Sequence, residues 1–327
     1  MSPSTPLRVN SDAEYRKVSS PYGFSMFDVE ATAGLERASR AAQEIVRAFG
    51  FERIMPATID FPDTFSENSH AEMFNLKDNS GERLALRNDI TAQVIKGYVR
   101  QIERRAEQKL RRFYYAAPVY KDVRKNYPMP REIHQIGCEV IGEHAEAELA
   151  SLIQISGKIL RDVFQFSSAT QISDVELRNA FAALAGNEYI DAERRRDAPH
   201  LAQILERSMK VPAADAGKFA VWLFYASDSQ KIPGAAASLP AEIRRQLDQS
   251  ALAAGDMIAT LQKSGVDAYW QPLTEPRSSY YSGLFFETYV PGFTEPMARG
   301  GVYNHLVKRY ADIEAGACGF ALDVLKF

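Results

Sequence analysis

The 327-residue sequence has few of the residues that most often carry metal, redox or disulfide chemistry, with two cysteines, five histidines and two tryptophans. Cys138 and Cys318 lie far apart, without metal-ligand spacing, and read as buried free thiols of a reducing cytoplasm. His70, His134, His144, His200 and His305 show no ligand spacing either, and no His-Glu-x-x-His occurs, so no metal is expected. A P-loop and a dinucleotide glycine fingerprint are also missing, and no cofactor is expected. No apolar run approaches the roughly 20 residues that span a bilayer. Met1-Ser-Pro-Ser-Thr-Pro lacks an apolar stretch ahead of a small-residue cleavage site, which argues against secretion and a membrane partner. Excess positive charge is lacking too. Lys and Arg total 39 against 42 Asp and Glu, a net charge of −3, which gives no footprint for a stable nucleic-acid complex. One local exception runs from Gly97 to Arg112, where Arg100, Arg104, Arg105, Lys109, Arg111 and Arg112 face only Glu103 and Glu107. It reads either as a solvated helix end or as a contact for an acidic partner surface.

What is present is ordinary globular material, 46% hydrophobic and 25% charged, enough for one large domain or two of common size. Leu35, Ala38, Ala42, Ile45, Val46 and Phe49 recur at three-and-four spacing, which predicts a helix from about Glu30 that Gly50 ends. A strand is expected over Phe51–Phe61, with Pro56 placing it at an edge or interface. Met73–Ala92 has a hairpin pattern around Asn79-Ser-Gly-Glu, leading into Asn88-Asp-Ile-Thr-Ala and a helix. Two further strands, from Phe113 and from Arg131 to Gly142, flank a loop at Lys125–Pro130. A helix is expected over Glu143–Phe166, then a less regular, mainly helical stretch containing Ile243, Leu247, Ala251, Ala254, Ile258 and Leu261 on one helix face. Strand patterns return at Val266–Pro272 and Leu284–Val290, and a final strand and helix from Ala315.

The segment from Phe113-Tyr-Tyr-Ala-Ala-Pro-Val-Tyr to Arg131-Glu-Ile-His-Gln-Ile-Gly-Cys-Glu closely resembles motif 2 of histidyl-tRNA synthetase. Leu86-Arg-Asn-Asp-Ile-Thr, Tyr280-Tyr-Ser-Gly with Phe285-Phe-Glu, and Gly300-Gly-Val-Tyr extend the resemblance over nearly the whole chain. Together these four are specific, whereas any one would be weak. The resemblance implies an α+β fold with a class II aminoacyl-tRNA synthetase-like core, mainly antiparallel sheet flanked by helices. It divides the chain into a first core part over 1–166, a helical insertion over 167–265 and a second core part over 266–327.

Carried over position by position, the amino-acid side looks intact. Asp89, Thr91 and Gln135 stand where a bound amino acid's ammonium would be received. Glu139 faces the imidazole position, and Tyr280 and Tyr281 match the paired tyrosines that wall it. A carboxylate there can accept a ring N–H and discriminate against ligands lacking one. The ATP side looks dismantled. Lys121, Met129 and Lys326 replace arginines of motif 2, its loop and motif 3; Asp323 replaces a glycine, and Pro276 an arginine that helps to activate the histidine carboxylate. Lysine does not reproduce an arginine's two-pronged grip on phosphate, and loss of a single transition-state donor costs about 10²- to 10³-fold in rate. Arg277, next to Pro276, is a candidate replacement, although one residue of offset in an extended segment reverses a side chain's direction. The sequence stops soon after the motif 3 match, so the anticodon-binding domain and a tRNA partner are not expected.

A kept amino-acid pocket beside a lost ATP site resembles the regulatory subunits of short-form ATP phosphoribosyltransferase. That resemblance implies a non-catalytic chain that dimerises through the motif 1 segment, assembles with a catalytic subunit, and mediates activation and feedback by L-histidine in the first step of histidine biosynthesis. Two alternatives stand beside it: a divergent enzyme that activates an amino acid with ATP through Lys121 and Lys326, and a structural activator whose pocket is vestigial.

Overall fold

A computed structural model describes residues 20–68, 73–105, 110–124, 130–225, 231–311, 313 and 315–324. Its first helix, α1 (Val29–Ala48), starts at Asp28, whose carboxylate accepts from the Ala31 N–H at 2.8 Å. Gly50 ends it at φ +83°, a conformation that glycine adopts without steric penalty. Ala42 and Val46 carry its buried stripe onto the core.

The main sheet is built from β1 (Glu52–Arg53), β5 (Arg111–Tyr120), β6 (Glu132–Gly142), β7 (Ala169–Asp174), β8 (Asp267–Trp270), β9 (Leu284–Tyr289), β10 (Ala298–Val302) and β11 (Gly316–Asp323). Their spatial order is β1-β5-β6-β11-β10-β9-β7-β8. The five inner pairings, from β5·β6 to β9·β7, are antiparallel, while the outermost strands β1 and β8 join in parallel. A second, three-stranded sheet has the order β2-β4-β3, formed by Ile59–Asp60, Arg83–Leu86 and Asn75–Lys77. Its hairpin turn is held by the Asp78 carboxylate, which accepts from the Ser80 and Glu82 N–H groups at 2.9 and 2.8 Å.

Two local expectations change. The strand expected over Phe51–Phe61 divides into β1 and β2, which belong to different sheets. Pro56 has no N–H to continue a ladder, and its carbonyl instead accepts from Arg87 Nη1 at 2.8 Å. The stretch 167–265 opens with a strand of the main sheet, β7, paired from Ala169 to Asp174 with β9. Its helices, α4 (Val175–Arg195), α5 (Ala198–Met209), α6 (Ala213–Tyr225) and α7 (Ala241–Lys263), are therefore inserted between two strands of the same sheet. Gly300 and Gly301, part of the Gly300-Gly-Val-Tyr match, lie in strand β10, where a Cβ would overlap Gly319 O or Phe285, so close packing demands glycine at both.

Helix α3 (Leu149–Asp162) covers the sheet with eight buried residues. It begins later than the sequence pattern suggests because Gly142 and His144 both take positive φ, and a short 3-10 turn at Ala145–Glu148 precedes it. On the other face, helix α2 (Thr91–Arg105) packs Ile90, Val94, Ile95 and Tyr98 against Phe113, Tyr115 and Tyr303. This second layer positions the site. Cys138 and Cys318 are both buried and free, and among the described residues no helix is long and apolar enough to cross a membrane.

Candidate functional site

A cavity of about 730 Å³ opens where the start of α2 meets β5, β6, β11 and the segment between β8 and β9. Five of the six residues expected to hold an amino acid, Asp89, Thr91, Gln135, Tyr280 and Tyr281, line it, and the sixth, Glu139, bonds to the lining residues Thr91 and Tyr303.

Glu139 is buried behind Thr91 and Tyr303, with 1% exposure. The register of β6 and β11 sets it opposite Gly319, where a Cβ would overlap its Oε2 and the Tyr303 hydroxyl. Thr91 Oγ1 donates to its Oε1 at 2.7 Å, and the Tyr303 hydroxyl donates to Oε2. Burial pushes the Glu139 carboxyl from 4.5 up to about 8; the two hydroxyls pull it down, and nearby Asp89 adds to the rise. A carboxyl kept protonated by desolvation can ionise when a ligand brings positive charge or N–H donors to it, and the ionised form then makes a charge-assisted bond.

Asp89 sits on the turn before α2 and caps it, its Oδ1 accepting from the Ala92 N–H at 3.2 Å. The Tyr280 hydroxyl donates to Oδ2 at 3.3 Å. Burial raises its pKa and the charge of Lys121 opposes that rise. Tyr280 and Tyr281 meet edge to face with centroids 5.2 Å apart, and Tyr303 stands against Tyr280 at 5.6 Å, so the wall is three contiguous rings. Burial raises the pKa of each phenol, keeping all three as neutral hydroxyls.

The cavity is also lined by Lys121, Val123, Pro276, Arg277 and Arg299. Lys121 and Pro276, two positions where the resemblance marks lost arginines, therefore do face the same cavity; Met129 and Lys326 lie outside the described residues. Arg277 is turned to carboxylates, its Nε 3.1 Å from Glu287 Oε1 and its Nη1 on Glu295. It lines the cavity next to Pro276 while paired to these two carboxylates. Sequence reading missed Tyr115, Arg299 and Tyr303 as wall residues, and Asp323 as a partner of Gln135. Tyr115 could have been found from strand parity, since it lies two residues beyond Phe113, the partner of Glu139. Arg299 carried no such signal.

A family model described as histidyl-tRNA synthetase matches residues 23–326. Curated relatives from Burkholderia ambifaria and Burkholderia vietnamiensis, both named ATP phosphoribosyltransferase regulatory subunit, are 28% identical over 304 residues, covering 89% of this chain and 76% of theirs. Among solved structures, a Bacillus halodurans protein described as an ATP phosphoribosyltransferase regulatory subunit/histidyl-tRNA synthetase superposes with TM-score 0.76 at 21% identity, over 94% of this chain and 81% of its own. A histidine–tRNA ligase subunit from Alicyclobacillus acidocaldarius gives 0.73 at 19% identity, over 94% and 95%. The two structures share the fold, with the mainly antiparallel sheet and flanking helices that the motifs imply. Matched along almost its whole length, the chain belongs to the histidyl-tRNA synthetase family.

Proposed function

We propose that this chain is a non-catalytic regulatory subunit that activates a short-form ATP phosphoribosyltransferase catalytic subunit and transmits feedback inhibition by L-histidine. The names of the curated relatives support the regulatory role. The observation that supports the ligand assignment is Asp89 on the cavity wall with Glu139 bonded to the lining residues Thr91 and Tyr303, both acids raised in pKa by burial and both beside the contiguous tyrosine rings. Such a wall suits a ligand with two donor ends, an ammonium at Asp89, Thr91 and Gln135 and an imidazole N–H at Glu139, the ring lying against Tyr280 and Tyr281. Lys121 and Pro276 on the cavity wall lack the forked donors that would hold a transferring phosphate, which favours binding over chemistry.

Regulation requires that the assembly have two states with different histidine affinity, a coupling of typically about 1 to 3 kcal/mol. The chain is proposed to self-associate through the motif 1 segment. That segment is the Phe51–Phe61 stretch, where Met55 is 87% exposed and Ile59 and Phe61 are also exposed. Contact with the catalytic subunit is assigned to the inserted helices or the basic Arg100–Arg112 stretch, and no tRNA or membrane takes part.

Reconstitution tests this reading. Adding the chain to a short-form catalytic subunit should raise its rate, and L-histidine should lower it; Glu139→Gln should keep the activation and lose the inhibition. Unchanged inhibition in Glu139→Gln would show that the regulatory histidine binds elsewhere. Histidine-dependent exchange of pyrophosphate into ATP by the chain alone would favour an amino-acid-activating enzyme instead.

A further inference from the structure

Each cation on the cavity wall has a carboxylate beside it. Arg277 has Glu287 and Glu295, Lys121 acts on Asp89, and Arg299 Nη2 lies 3.4 Å from Asp323 Oδ2. Asp323 stands behind the wall, 2% exposed, at the last position of β11 and in register with Gln135 of β6. Its backbone N–H donates to Met297 O at 3.1 Å, and its Oδ1 accepts from Gln135 Nε2 at 2.8 Å. One buried acid therefore holds two side chains that line the cavity.

Both contacts alter what the cavity can receive. With its NH₂ committed to Asp323, the Gln135 amide has its carbonyl oxygen left to meet a ligand, an acceptor suited to an ammonium and mismatched to phosphate. With a carboxylate beside its guanidinium, Arg299 presents little net charge, and a phosphate brought to it would meet the field of Asp323 in a desolvated setting where repulsion is strong.

We propose that Asp323 is a specificity-determining residue of this cavity, orienting Gln135 as an acceptor and neutralising Arg299 so that an ammonium-bearing amino acid is admitted and phosphate-bearing ligands are rejected. The Gln135 part rests on the amino-acid reading above; the rejection of phosphate does not. A sensor built this way responds to its amino acid without competition from nucleotides.

The test titrates pyrophosphate, ATP and L-histidine into the wild-type chain, Asp323→Asn, and the double variant Asp323→Asn/Arg299→Gln, each checked for cooperative thermal unfolding. Wild type should take up neither phosphate ligand. Asp323→Asn should bind pyrophosphate at least tenfold more tightly than wild type, lose that gain in the double variant, and bind histidine several-fold more weakly. Should Asp323→Asn fail to fold, Asp323→Gly takes its place. The proposal is overturned if a folded Asp323 variant gains no pyrophosphate binding, or if wild type binds pyrophosphate or ATP in competition with histidine. If wild type binds no histidine while Asp323→Asn still gains pyrophosphate, the Gln135 part falls together with the amino-acid reading and the phosphate-rejection part stands.

Discussion

The two sides of the cavity differ in how their charges are answered. On one side the acid Glu139 receives hydroxyls from Thr91 and Tyr303, with its carboxyl driven toward neutrality by burial. On the other, Arg277 and Arg299 already have carboxylates against them. The acids gain from a ligand that brings positive charge or N–H donors; the paired arginines have little to offer a ligand that brings the several negative charges of a phosphate chain. On the proposed reading, the cavity favours an ammonium-bearing ligand because its cations are answered by Glu287, Glu295 and Asp323 as well as because arginines are missing at Lys121 and Pro276.

The most demanding way to break this contrast is through pH. The folded state holds the Glu139 proton more tightly than the unfolded chain, so it binds more protons at every pH between about 4.5 and 8. Stability should therefore fall as pH rises through that window, by about 1.4 kcal/mol for each pH unit crossed and on the order of 5 kcal/mol in all. Glu139→Gln should flatten the dependence, as followed by chemical denaturation across that range. An equal slope in both proteins would show that Glu139 is not held as described.

Gly319→Ala sharpens the comparison sterically. A Cβ there overlaps Glu139 Oε2 and the Tyr303 hydroxyl, so the acid side should be displaced while Arg277 and its partners are untouched. A loss of about 1 to 3 kcal/mol in stability is expected from the overpacking, together with loss of histidine binding by titration.

A smaller effect comes from Thr91→Val, which removes one of the two hydroxyls that lower the Glu139 pKa. It should cost about 1 to 2 kcal/mol and carry the pH-dependent loss of stability to higher pH. Denaturation midpoints at pH 6 and pH 9 read both effects.

How much of this was legible in the sequence follows from the range of each interaction. Helix α1 was legible because its stripe, cap and terminal glycine are all local. So was the acid side of the site: Asp89 and Thr91 belong to one turn, Gln135 and Glu139 share the parity of one strand, and the motifs named Tyr280 and Tyr281. The break at Pro56 was half legible, since the proline forbids a ladder donor but does not say that the chain changes sheets. The engagement of Arg277 with Glu295, and of Gln135 with Asp323 at a sequence separation of 188, depends on sheet register, which no local pattern encodes. The acid answering Arg299 was for that reason out of reach, although Asp323 itself stood out as a departure from the family's glycine.

The most direct test of the account is isothermal titration of L-histidine into the wild-type chain and Glu139→Gln, each with and without ATP. Saturable binding by the wild type, at least tenfold weaker in the variant and indifferent to ATP, is the predicted result. An absence of histidine binding by the wild type, or equal affinity in the two proteins, would contradict it.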